Sequence, residues 1–290
     1  MSDDGSCSVV VIALLGNPFS PRYARARAAG EALALDHCAM NVAVTTPGRS
    51  AWALTERPRT AVRRDATRVC IGSSAMRRAP DGSFVVDVDE RTAPWSTPLR
   101  GRVRLVPSIE IDTQLALDGR GAHVWHPRVP LGRVEVDLDE PRISFRGTGY
   151  LDENAGEEPL EAAFSRWSWS RVASEDRAAT IVYDVALRDG RSIVRGLRID
   201  EAGFEPFGGG RTVDLGRTRF GLQRSTRVER DAPCRLRTTL EDGPFYARSI
   251  VDTALDGRPA SGMHETVCLR RFSSRWVRFL LPFRMRVEAA

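Results

Sequence analysis

The feature that most constrains this chain is the period of its hydrophobic pattern. SFVVDVD (83–89), GRVEVDLD (132–139) and ATIVYDVALRDG (179–190) alternate apolar with polar residues, and Gly, Pro or Asp punctuates the runs. Successive strand side chains point to opposite faces, so a period of two suits a half-buried antiparallel strand, whereas a helix repeats every 3.6 residues. In GRVEVDLD, Val134, Val136 and Leu138 fall on one face and Arg133, Glu135 and Asp137 on the other. The turn Asp139-Glu140-Pro141 then returns the chain into ISFRGTGYLD. Many short strands of this kind predict an all-β, mainly antiparallel chain that forms a barrel or a sandwich.

Two segments break the period. Pro159 suits a first helical position, Glu157 and Glu158 suit the positive end of a helix, and Leu160, Ala163, Phe164 and Trp167 make a helical stripe. This predicts a helix and a domain boundary near residues 156–166, dividing the chain into β-rich halves at 1–160 and 161–290. In RRFSSRWVRFLLPFRMR, Phe272, Trp276, Phe279, Leu280 and Phe283 recur at helical spacing among six arginines. Such a segment either lies on an anionic membrane surface or packs on its own domain as a terminal helix ended by Pro282.

With 290 residues, 42% hydrophobic and 28% charged, the chain falls in the folded, globular range. It has no lysine, and its 43 basic residues are arginines interleaved with 38 acidic ones. The net charge of +5 is therefore not gathered into a basic patch, and no nucleic-acid partner is expected. Five cysteines, odd in number and without CxxC spacing, argue against a disulfide framework or zinc ribbon and for a reducing, cytoplasmic setting. Val9 to Leu15 is apolar but follows Asp3 and Asp4, so it reads as a strand rather than a signal peptide. No apolar run approaches the ~20 residues needed to span a bilayer. The sequence sets no oligomeric state.

Within GYLDENAGEE (149–158), Asp152, Asn154 and Gly156 alternate as in a calcium loop. An EF-hand needs Gly at its sixth position and Glu at its twelfth, and counting from Asp152 these are Glu157 and Ala163. His123 and His126 in HVWH have odd spacing, which sends them to opposite strand faces. No GxSxG elbow is present, and neither metal nor cofactor is expected. The even spacings remain: His123 with Trp125, and Tyr150 with Asp152, each pair on one strand face. If GRVEVDLD is the middle strand of a meander, the pairs lie about two strand spacings apart, roughly 10 Å. That gathers a carboxyl, an imidazole and two aromatic rings, but Trp and Tyr on strands also serve as core, and spacing alone leaves both readings open.

NPFSPRYARAR, DHCAMNVAV, WALTER, the stretch from HVW to GYLDENAGEEPLEAAFSRWSWSR, and the closing HETVCLRRFSSRWVRFLLPFRM together resemble the acyclic carotenoid 1,2-hydratases, or hydroxyneurosporene synthases. The likeness runs in the same order over nearly the whole chain, and its long segments are far more specific than a short motif. The resemblance implies two lipocalin-like (calycin-type) β-barrel domains with a few short helices, the catalytic one at 1–160 and the other at 161–290. Family members carry an aromatic strand ahead of the segment matching SDDG, so the sequence is expected to enter after that first strand. The implied reaction is cofactor-independent addition of water across the terminal C1,C2 double bond of neurosporene, lycopene or related acyclic carotenoids. The implied catalytic residues are His123 and Trp125 of an H-x-W motif and Tyr150 and Asp152 of a Y-x-D motif.

On that basis Asp152 is expected to protonate C2, and Trp125 and Tyr150 to stabilise the tertiary cation at C1. His123 is expected either to take a proton from the attacking water or, as an imidazolium, to sharpen the acid. A membrane-dissolved substrate implies peripheral contact with the cytoplasmic face of the inner, photosynthetic membrane. The competing readings are a non-catalytic carotenoid or lipid carrier and a related isomerase or cyclase.

Overall fold

A computed structural model describes residues 1–174, 178–208 and 210–288, and it is built mainly of antiparallel strands with a few short helices. The chain gathers into two compact units. The first comprises Met1–Pro107, Arg133–Gly147 and Arg278–Ala290, the second Ser108–Gly132 and Thr148–Val277. The boundary expected at 160/161 therefore falls inside the second unit, which takes up 108–132 as well as the unbroken run 148–277.

In the first unit, Ser8–Leu14, Cys38–Thr46 and Arg49–Arg57 form an antiparallel set, and Arg286–Val287 joins its edge in parallel. Val62–Arg64, Arg68–Ile71, Ser74–Arg78, Phe84–Arg91 and Pro98–Ile109 follow one another as a meander. The alternation read in GRVEVDLD is realised: Val134, Val136 and Leu138 are buried in the unit's core with Met40, Val42, Ile71, Val88 and Leu99, while Asp137 is exposed. Burying these aliphatic side chains contributes about 1.5–3 kcal/mol each before entropy is charged. A buried ion pair also sits here. Arg57 makes a two-pronged pair with Glu90 at 2.9 and 3.0 Å, and the Ser74 hydroxyl donates to the same carboxylate at 2.7 Å.

The second unit contains a seven-stranded sheet in the order Gly203–Pro206, Ser192–Asp200, Ala178–Leu187, Phe164–Ser174, Arg258–Cys268, Tyr246–Leu255, Arg235–Asp242. Among the described residues its hydrogen-bonded order is a path with two ends rather than a ring. One face is covered by the hairpin Arg211–Arg217 and Gln223–Val228. There Leu215 packs on Val172 and Val251, Thr226 donates to Ser170 at 3.1 Å, and His264 bonds the Ser225 carbonyl at 2.9 Å. Burial pushes His264 down to about 4, so it sits there neutral. On the opposite face, Ala173 and Ala179 pack against Leu131 and Ile109.

Three sequence expectations change. The helix around Pro159 is a single turn, Leu160–Ala163, after which Phe164 and Trp167 already belong to the strand Phe164–Ser174. The stripe was local, and cross-strand pairing of Trp167 with Val185 and Val267 outweighs the short run's helical preference. HVW and GRVEVDLD are not successive strands but one strand of 18 residues, His123–Glu140, hydrogen-bonded directly to Ile143–Gly156. The HVW and YLD motifs therefore lie on neighbouring strands, with no strand between them. The C-terminal segment is not one helix but three short turns, Leu269–Phe272, Arg275–Leu280 and Leu281–Arg284.

Candidate active site

The four residues singled out by spacing all belong to the second unit. Trp125 is wholly buried, and its indole Nε1 donates to the Tyr150 hydroxyl at 3.0 Å. The Tyr150 ring lies 5.4 Å from Trp169, and Tyr183 meets Trp125 edge-on at 5.1 Å. Trp169 and Tyr183 are directly opposed in the sheet, so four aromatic residues from four strands converge on one place. Above them the Arg171 guanidinium stands 5.9 Å from the Tyr150 ring, fixed by the Pro130 carbonyl at 3.0 Å and the Thr148 hydroxyl at 3.1 Å.

Asp152 follows Tyr150 by two residues and shares its strand. Burial among these aromatics raises its carboxyl to about 6, and the nearby Glu265 carboxylate pushes the same way. Hydrogen bonding from Tyr150, Asn154 and Trp125 pulls against that rise, the Asn154 amide donating to Oδ2 at 3.2 Å. Asp152 keeps partial access to solvent, which lets an acid re-protonate between turnovers. Tyr150 and Tyr183 are pushed well above the usual phenol range, chiefly by burial, and stay neutral. Because the Tyr150 oxygen accepts from the indole, its own proton is free to be directed at Asp152.

His123 has other partners. It is buried, its ring lies 4.7 Å from Phe164, and its Nε2 is 3.8 Å from the Glu158 carboxylate and makes no hydrogen bond. Burial lowers its pKa, with Asp118 and Glu158 opposing and Arg120 adding to the fall. Asp118 is held in the preceding loop, where Oδ1 accepts the backbone N–H groups of Arg120, Gly121 and Ala122 at 3.1, 2.6 and 3.1 Å. Arg120 pairs with Glu158. Gly156 permits this arrangement, since a Cβ there would stand 2.6 Å from His123 Nδ1. Among the described residues, Asp118, His123 and Glu158 are the one grouping whose side-chain ligand atoms, all within 4.8 Å of one another, could hold a cation. His126, as its odd spacing required, faces elsewhere, 3.2 Å from Asp112.

The structure brings together Trp125, Tyr150 and Asp152 of the four residues that spacing proposed, while His123 lies among Phe164, Asp118 and Glu158. Spacing missed Tyr183, Trp169, Glu265, Asp118 and Glu158. Tyr183 and Trp169 did carry a period-two signal in ATIVYDVALRDG and RWSWSR, but nothing local says that this face meets Tyr150.

A sequence model described as carotenoid hydratase CrtC matches residues 11–289. The chain belongs to that family. An acyclic carotenoid 1,2-hydratase of Thiocapsa roseopersicina is 43% identical over 98% of this chain and 70% of its own length. In fold, this CrtC-family chain resembles a crystal structure from Nitrosomonas europaea assigned as AttH, with TM-score 0.60, 16% identity and coverage of 80% of this chain and 81% of that one. It also resembles kievitone hydratase of Nectria haematococca, with TM-score 0.56, 10% identity and coverage of 92% and 86%. At such low identity these two speak to the lipocalin-like fold alone.

Proposed function

We propose that the chain hydrates the terminal C1,C2 double bond of an acyclic carotenoid such as neurosporene or lycopene, with Asp152 as the acid. The observation that carries this reading is a carboxyl raised to about 6 among aromatic rings, in a chain of the carotenoid hydratase family. Protonation of C2 by Asp152 consumes the alkene's π electrons and leaves a tertiary cation at C1. Water then bonds to C1 and loses a proton, giving a tertiary alcohol, and Asp152 regains its proton from solvent.

Tyr150, which is partly accessible, is the ring assigned to face the cation, worth about 2 kcal/mol when desolvated, or roughly thirtyfold in rate. Trp125 is covered by its neighbours and is assigned to hold Tyr150 in place rather than to touch the cation. His123, kept neutral by burial, is assigned to take the proton from the attacking water. The Asp118 and Glu158 carboxylates then steady the imidazolium, as a carboxylate does in a catalytic triad.

The test is expression of the chain in a bacterial host that makes lycopene or neurosporene, with chromatography and mass analysis of the pigments. The expected product is heavier than its precursor by one water. A carrier leaves the pigment unchanged, and an isomerase or cyclase alters retention without altering mass; either result overturns the reading.

A polyene substrate resides in a membrane, and no helix of the described residues is long and apolar enough to cross one. Trp276, Phe279 and Phe283 are 51, 69 and 62% exposed and stand among Arg275, Arg278 and Arg284, a composition suited to an anionic bilayer surface. We assign this segment to peripheral contact with the cytoplasmic face of the inner membrane. Replacing Phe279 and Phe283 together with Ser is expected to release the protein from sedimenting vesicles of mixed neutral and anionic lipid. Unchanged sedimentation assigns the contact to another surface.

A further inference from the structure

We propose that Glu265, held by Arg248, is a positioning residue of this site whose carboxylate opposes ionisation of the neighbouring Asp152. The placement comes from strand register. Trp169 is directly opposite Tyr183 on one side and Glu265 on the other, Arg248 is opposite Glu265, and Glu241 is opposite Arg248. Residues opposed in an antiparallel sheet share a face, so these five form one row. The Tyr150 ring rests on Trp169 in the middle of that row, which brings the strand carrying Asp152 onto the face that carries Glu265.

Arg248 is buried and holds Glu265 at 2.9 Å through Nε, with Glu241 3.7 Å away on its other side and the Tyr246 ring 5.4 Å from the guanidinium. Two carboxyls facing one aromatic pocket do not ionise equally. The ion pair with Arg248 fixes the Glu265 carboxylate in place, and its negative charge opposes ionisation of Asp152. Paired carboxyls driven apart by unequal surroundings are a general way to obtain an acid near neutral pH. Burial raises Asp152 most, and the other groups around it do not reproduce the contribution of Glu265. Tyr150 and Asn154 on its own strand stabilise the ionised form, Tyr183 is neutral, and Arg171, above the Tyr150 ring, is positive.

The inference rests on Asp152 being the acid, and the experiment separates the two. Hydration of lycopene in lipid vesicles is measured from pH 5 to 9 for the full chain and for Glu265→Gln, Glu265→Asp, Glu229→Gln and Asp152→Asn. Glu229 is a matched control, a carboxylate paired with Arg198 at 2.9 Å and 21% exposed against 22% for Glu265. Glu265→Gln is expected to move the alkaline limb of kcat/KM to lower pH, so that its loss of rate is larger at pH 8 than at pH 5. Glu265→Asp, which keeps the charge, is expected to restore the limb, and Glu229→Gln to leave it in place. A Glu265→Gln enzyme slowed by one factor at every pH, with Asp152→Asn inactive, overturns the role of Glu265 alone. An active Asp152→Asn overturns the reading beneath it.

Discussion

Replacing Asp152 with Asn is expected to lower the rate of carotenoid hydration by about 10²–10⁴-fold, the range spanned by a positioned general acid. The substitution preserves shape and removes the only feature the mechanism needs from this side chain, a proton of suitable acidity. One ring at about 2 kcal/mol cannot make up a typical enzymatic acceleration of 10⁶ or more, so the acid carries a share that no neighbour replaces. Circular dichroism should show an unchanged fold, and pigment analysis over time gives the rate. An Asp152→Asn protein working at the parent rate removes this residue as the acid. The same chemistry fixes the sign of the pH dependence. With the protonated form as the acid and its carboxyl raised to about 6, activity is expected to fall as pH rises through that value. A bound polyene that expels water from the accessible edge of Asp152 raises its protonated share further.

Trp125 should show a graded loss. Trp125→Phe keeps a ring against Tyr150 and Tyr183 but lacks the Nε1–H that donates to the Tyr150 hydroxyl, so a loss of about fivefold is expected, one hydrogen bond of about 1 kcal/mol. Trp125→Ala removes the support of Tyr150 altogether, and adding the forfeited cation–π attraction brings the loss to roughly 10²-fold. Because the indole is wholly buried, Trp125→Ala also opens a cavity that lowers stability by about 3–5 kcal/mol. Activity is therefore to be compared at a temperature where denaturation curves show both variants folded. Equal rates for the Phe and Ala proteins sink the supporting role of the ring, and a Phe protein at the parent rate sinks the role of its N–H.

The all-β class was legible because alternation is a local property: Val134, Val136 and Leu138 show in the sequence the same face that the core buries. The site was half legible for the same reason. Two-residue spacing puts Tyr150 and Asp152 together, and Trp125 beside His123, without knowledge of any partner strand. What period could not reveal was where a strand ends, so HVW and GRVEVDLD read as separate elements when they are one. Nor could it show how far pairing overrides a short helical stripe, as at Phe164 and Trp167. Tyr183 and Trp169 meet Trp125 and Tyr150, and Glu265 stands opposite Trp169, through long-range register, which a single sequence leaves unwritten. Asp118 was hidden differently: its three backbone hydrogen bonds belong to a loop conformation that no periodic pattern encodes.

The division of the chain also bears on its synthesis. The first unit takes its strands from Met1–Pro107, then Arg133–Gly147, and pairs Arg286 with Thr55, while the second draws on residues between 108 and 277. The first unit therefore combines strands that are far apart in the chain, the last of them near residue 286. Neither unit is a single uninterrupted stretch, so chain order offers no N-terminal piece whose partners have all been made before residues near 277.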